Sequence, residues 1–126
     1  MSFDRGDLEI AVARHEIHGN IDDFCRAAAK MLKYGGSFYA VYRPDRLTDI
    51  FSAMRKNGLE PKRATFVHAD SQKESSMVLI EAKRGAKSGM MLTPPLIIYD
   101  SEEHKSYGCD MEFIMQNGSF PTKFKR

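Results

Sequence analysis

Apolar positions at Ile21, Phe24, Ala28, Met31 and Leu32 recur at helical spacing, so the pattern predicts a helix opening at Asn20. Asn20 suits an N-cap, and Asp22 and Asp23 place negative charge on the unpaired first-turn amides. Gly35-Gly36 stops the helix. Residues 37–42, Ser-Phe-Tyr-Ala-Val-Tyr, form a nearly continuous apolar run, which predicts a strand covered on both faces, as in a parallel sheet. After Arg43-Pro44-Asp45, the positions Leu47, Ile50, Phe51 and Met54 predict a second helix, closed by Asn57-Gly58. Residues 62–69 alternate weakly and predict a strand. The polar turn Asp70–Ser75 then leads into an apolar strand at 76–84. A link this short favours an antiparallel hairpin, because a parallel crossover needs a dozen or more residues. Leu96–Tyr99 reads as extended, held to an edge by Pro94-Pro95. Cys109–Met115 reads as a short helix before Asn117-Gly118, residues 1–13 as a flexible arm, and 118–126 as a frayed tail.

The 126 residues suit a single unit, and 42% hydrophobic with 29% charged residues is ordinary globular composition. The net charge of +2 hides an uneven distribution: residues 1–25 sum to −4, residues 26–63 to +6 and the remainder to zero. Cys25 and Cys109 lie 84 positions apart, which argues against a disulfide framework or a zinc ribbon and fits a reducing, cytoplasmic setting. No stretch approaches the ~20 apolar residues of a membrane span. Two strands built for burial on both faces are matched by only two good helices. Since parallel sheets need layers on both sides, the chain reads as part of a larger α/β sheet.

Four segments carry a resemblance. They are Ala13-Arg14-His15-Glu16-Ile17, the run Gly35–Leu47, Leu59-Glu60-Pro61-Lys62-Arg63, and Met77–Glu81 followed by Pro94-Pro95-Leu96 and Tyr99. In this order they resemble the C-terminal half of the methyltransferase small-domain group, over roughly residues 10–115. Within it they are similar to bacterial adenine-N6 methyltransferases acting on a valine tRNA. The resemblance implies a partial Rossmann-like class I methyltransferase sheet, with helix, strand, helix, strand and antiparallel strand, then an extension. Residues 37–42, 62–69 and 76–84 would be its fifth, sixth and seventh strands. It also implies S-adenosylmethionine as cofactor of a full-length enzyme and tRNA as its partner.

The sequence departs from that group where the chemistry resides. It has no Gly-rich cofactor turn after a strand and no Asn-Pro-Pro-Tyr acceptor motif, and Gly35-Gly36 follow a helix instead. The chain is therefore expected to be a C-terminal piece that binds no cofactor and catalyses nothing alone. Its partners would be a missing N-terminal cofactor-binding half and, through an exposed sheet face, further copies of itself. The alternatives are a stand-alone RNA-binding or subunit module and a small ferredoxin-like regulatory domain. The latter requires an all-antiparallel sheet.

Candidate site residues follow from the same reading. Arg14, His15 and Glu16 would face the substrate, the resemblance placing them beside the acceptor pocket. The alternative is an exposed polar helix entry. His15 and His18 are spaced i, i+3 instead of the i, i+4 of a zinc-protease helix, and no third ligand is evident. Arg43 and Arg46 follow a predicted parallel strand, at whose carboxyl end ligands collect, and would meet RNA phosphates there. Lys62 and Arg63 would add to the same field, or else lie at a solvated strand start. Gly85-Ala86-Lys87-Ser88-Gly89 lacks phosphate-loop spacing and reads as an ordinary loop.

Overall fold

A computed structural model describes residues 11–12 and 20–125. The first helix, α1, spans Ile21–Met31, and the Asn20 side chain accepts the Asp23 amide at 2.8 Å, the cap expected from the sequence. The strand before it, β1 (Ala11–Val12), runs parallel to β2 (Ser37–Tyr42). The sheet therefore begins inside the stretch that the sequence assigns to a flexible arm. A 3-10 turn at Pro44–Arg46 feeds α2 (Leu47–Lys56). Asn57 ends α2 and fastens it to α1. Its Nδ2 donates to the Ala53 carbonyl at 2.7 Å and to Asp22 Oδ1 at 2.9 Å. Gly58 then reverses the chain at φ +81°, in the left-handed region that favours glycine.

The long hairpin comprises β3 (Leu59–His68) and β4 (Ser75–Arg84), antiparallel as the short polar link requires. Its turn is folded by Asp70, whose Oδ1 accepts the Gln72 amide at 2.9 Å. Strand β3 starts three residues before the expected Lys62 and includes Pro61. Proline is tolerated because the β3–β4 register shifts between Pro61 and Arg63, and the neighbour on the other side begins pairing only at Arg63. Two short strands, β5 (Met91–Leu92) and β6 (Leu96–Ile97), pair parallel with β3, and α3 (Cys109–Asn117) follows.

The sheet order is β1-β2-β4-β3-β5, with β6 also beside β3. Strand β4 is antiparallel to both β2 and β3, so these two run parallel to each other with β4 between them. Parallel pairs at both ends rule out the all-antiparallel, ferredoxin-like alternative. The architecture is a partial Rossmann-like α/β sheet, in which β4 runs antiparallel between the parallel strands β2 and β3.

Alternation of side chains divides the sheet into two unlike faces. Phe38, Ala40, Tyr42, Leu59, Ala64, Val78, Ile80 and Ala82 pack with Ile21, Cys25, Ala28, Leu32, Ile50 and Met54, which places α1 and α2 on one face. Each large apolar side chain enclosed there contributes roughly 1.5–3 kcal/mol. The opposite face has a smaller core, in which Val67, Leu96 and Phe124 meet Met77, Leu79, Ile98, Ile114 and Phe120. Where the sequence reading expects a frayed tail, the described residues after Gly118 pack Phe120 and Phe124 onto this core. A 3-10 turn at Thr122–Phe124 brings Phe124, 2% exposed, down onto the sheet. There Phe124 joins Ile114 of α3 on a face that α1 and α2 leave open.

Candidate functional site: the carboxyl rim and the open sheet face

Strands β2 and β3 end at one rim of the sheet, where parallel α/β folds bind ligands. Arg43 leaves β2 there. Its Nε and Nη2 donate to the two oxygens of Asp45 at 3.0 and 2.7 Å, and this hydrogen bonding foremost holds the Asp45 carboxyl below its ordinary value. Arg46 lies one turn on and is paired with Asp49 at 2.5 Å. Both arginines are about half exposed. Exposed pairs of this kind stabilise little, so either guanidinium can exchange its carboxylate for a phosphate.

Lys62 and Arg63 are placed elsewhere. Lys62 Nζ donates to the Lys87 carbonyl at 2.8 Å. Arg63 lies on the face away from α1 and α2. Its Nη2 is 3.2 Å from Glu81 Oε1, and its Nη1 donates to the Phe124 carbonyl at 3.0 Å. Glu81 is paired with Tyr39 across β2–β4, so Arg63 sits level with mid-β2 and does not join the field at its carboxyl end. The sequence readings for Arg14, His15 and Glu16 lie outside the described residues.

The open face contains a cluster that sequence reasoning did not single out. Glu81, 7% exposed, accepts from Tyr39 Oη at 3.3 Å and from Ser37 Oγ at 3.4 Å, and has Lys83 Nζ at 3.6 Å besides Arg63. A carboxylate this buried requires such partners. The signal in the sequence was one charge interrupting the apolar run Met77–Ala82. Around the cluster a cleft of about 620 Å³ is lined by Tyr39, Val41, Leu79, Phe120 and Phe124, a volume typical of ligand and docking pockets. Among the described residues no group of three or more His, Cys, Asp or Glu side chains is arranged to hold a metal, and no helix is long and apolar enough to cross a membrane.

The fold finds its counterpart in solved structures. A predicted O-methyltransferase from Agrobacterium tumefaciens superposes with a TM-score of 0.69 over 87% of this chain, at 21% identity. This is a methyltransferase fold, in part. The chain covers 50% of that protein's length. A candidate DNA modification methylase from Thermus thermophilus superposes with a TM-score of 0.52 at 13% identity, over 67% of this chain and 47% of its own. The chain thus spans about half the length of the structures it matches. The sequence matches no protein-family model and no curated protein.

Proposed function

We propose that the chain is the C-terminal half of an S-adenosylmethionine-dependent RNA (tRNA) adenine methyltransferase, and that it transfers no methyl group alone. The observation that carries this reading is β4, antiparallel between parallel β2 and β3, in a chain whose fold matches half of a predicted O-methyltransferase. The RNA substrate rests on the four resembling segments and on the two exposed arginines at the carboxyl rim. S-adenosylmethionine supplies an electrophilic methyl group when bound. The Gly-rich turn and the Asn-Pro-Pro-Tyr motif that would hold it and the acceptor amine are absent from this sequence. Its own residues then act by binding: Arg43 and Arg46 neutralise phosphates.

The missing partner, in this reading, is the cofactor-binding half. The cleft around Tyr39, Val41, Leu79 and Glu81 is its seat, because a sheet with parallel strands is stable when layered on both sides. In its absence the same apolar face favours association of two copies.

The test is a methyl-transfer assay with radiolabelled S-adenosylmethionine and unmodified tRNA, together with calorimetric titration of the cofactor into the purified chain. Neither transfer nor cofactor binding is expected, while tRNA binds and Arg43→Ala and Arg46→Ala weaken that binding and lower its salt dependence. Methylation by the chain alone overturns the half-enzyme reading. Failure to bind tRNA overturns the RNA assignment. Co-purification with a separate cofactor-binding polypeptide would favour the alternative of a non-catalytic RNA-binding subunit.

A further inference from the structure

Beyond β6 the chain builds a second feature at the same rim. The Tyr99 amide donates to the Ala69 carbonyl at 2.8 Å, so Tyr99 lies just past the end of β3. Tyr99 and Tyr107 face each other in an isolated antiparallel bridge, and their rings stack at 5.7 Å with 23° between planes. His104 stacks on Tyr99 at 4.5 Å and 12°. Its Nε2 is 2.8 Å from Oδ2 of Asp70, a carboxylate 1% exposed and itself fixed by the hairpin turn. His104 adopts φ +57°, an unfavourable conformation for a residue other than glycine that the surrounding bonds maintain. The outer ring, Tyr107, is 40% exposed.

Three near-parallel rings, one held by a buried carboxylate, make a rigid apolar surface at the edge where such sheets bind ligands. Three strand spacings of ~4.8 Å separate β6 from β2, so the stack stands roughly 15 Å from Arg43. The loop that carries it holds Asp100, Glu102 and Glu103 against Lys105, so it supplies no phosphate clamp of its own and leaves the backbone to Arg43 and Arg46. A nucleobase offers such a face, and stacking on aromatic side chains is the common mode of binding unpaired bases. We propose that Tyr107, backed by Tyr99 and His104, is a stacking platform for an unpaired RNA base whose backbone is held by Arg43 and Arg46. The proposal rests on the RNA reading above and adds the element that contacts a base.

The chain has five Tyr and no Trp, so the part of the tyrosine-emission quenching that is lost in the Tyr107 variants reports stacking on that ring. Fluorescein-labelled oligoadenylate, titrated over a range of salt, is expected to quench that emission and to raise anisotropy. Tyr107→Ala should weaken binding about tenfold with an unchanged salt slope, whereas Tyr107→Phe should bind as the parent chain does. Tyr107→Leu keeps apolar bulk without a π face, so it decides the matter if the alanine variant misfolds, and it too should lose affinity. Arg43→Ala should instead lower the salt slope by roughly 0.7. Normal affinity in both Tyr107→Ala and Tyr107→Leu, alongside weakening in Arg43→Ala, overturns the platform and leaves the RNA reading intact. Binding of tRNA without any binding of oligoadenylate does the same. Failure to bind either RNA overturns both.

Discussion

Replacing Phe124 by Ala tests whether the end of the chain is part of the folded unit. The ring is 2% exposed, contacts Val67 and Leu96, and meets Phe120 edge-on at 5.8 Å and 76°. Removing roughly 100 Å² of apolar surface at about 25 cal/mol per Å² forfeits ~2.5 kcal/mol. Loss of the edge-to-face pair adds ~0.5–1.5 kcal/mol. A fully enclosed Phe→Ala change costs ~3–5 kcal/mol. Here the vacated space opens into the neighbouring cleft, where water can enter and lessen the cavity penalty, which places the loss near 3 kcal/mol. At ~3–5 °C per kcal/mol for a domain of this size, melting should fall by roughly 10–15 °C. Urea unfolding followed by far-UV circular dichroism and tyrosine emission measures the change, with the midpoint lowered and the slope unaltered. A truncation ending at Gly118 should lose at least as much. If both proteins unfold within ~0.5 kcal/mol of the parent chain, the tail is not docked and the second core is wrong.

Three further outcomes follow from individual residues. Cys25 is buried in the helix-covered core, and burial foremost, with the Asp22 charge, pushes its thiol up to about 12, while Cys109 is exposed. A colorimetric thiol reagent near pH 8 should therefore modify one thiol rapidly and the second only on unfolding; two fast equivalents would contradict the packing of α1. Gly58→Ala meets no atom within 4 Å but must adopt φ +81°, so it should destabilise by about 1–2 kcal/mol in urea titration, and no loss would mean that the turn is misassigned. The Asp70 carboxyl is held below its ordinary value of 3.8 by the His104 hydrogen bond foremost, then by the Gln72 amide and Lys73. As pH falls, the unfolded chain takes up that proton first. The contribution is therefore full above about pH 4 and is lost below it. Asp70→Asn should flatten the acid limb of the urea-midpoint profile, and an unchanged limb would refute the contact.

Much of the fold was legible because it is written in local periodicity. Asn20 caps where its position predicts, Gly58 reverses the chain after α2, and the short polar link between β3 and β4 forms the hairpin its length favours. Lys62 and Arg63 were harder to place, because alternation along one strand gives neighbouring residues opposite faces without saying what each face meets. Glu81 carried only a faint signal, one charge in an apolar strand. Its partners Ser37 and Arg63 are distant in sequence and come together only through strand register. The Asp70–His104–Tyr99–Tyr107 stack had none, since its members belong to two segments that approach only when β6 pairs with β3.

By itself, the sequence determined the three helices, the long strands β2, β3 and β4, their order and the absence of cofactor motifs, because each depends on neighbours within a turn or a strand. Only the tertiary structure decided which face of the sheet remains open, that Phe124 returns to cover part of it, and which residues share a rim. Those outcomes depend on long-range register, where a shift of one residue would carry every side chain to the other face.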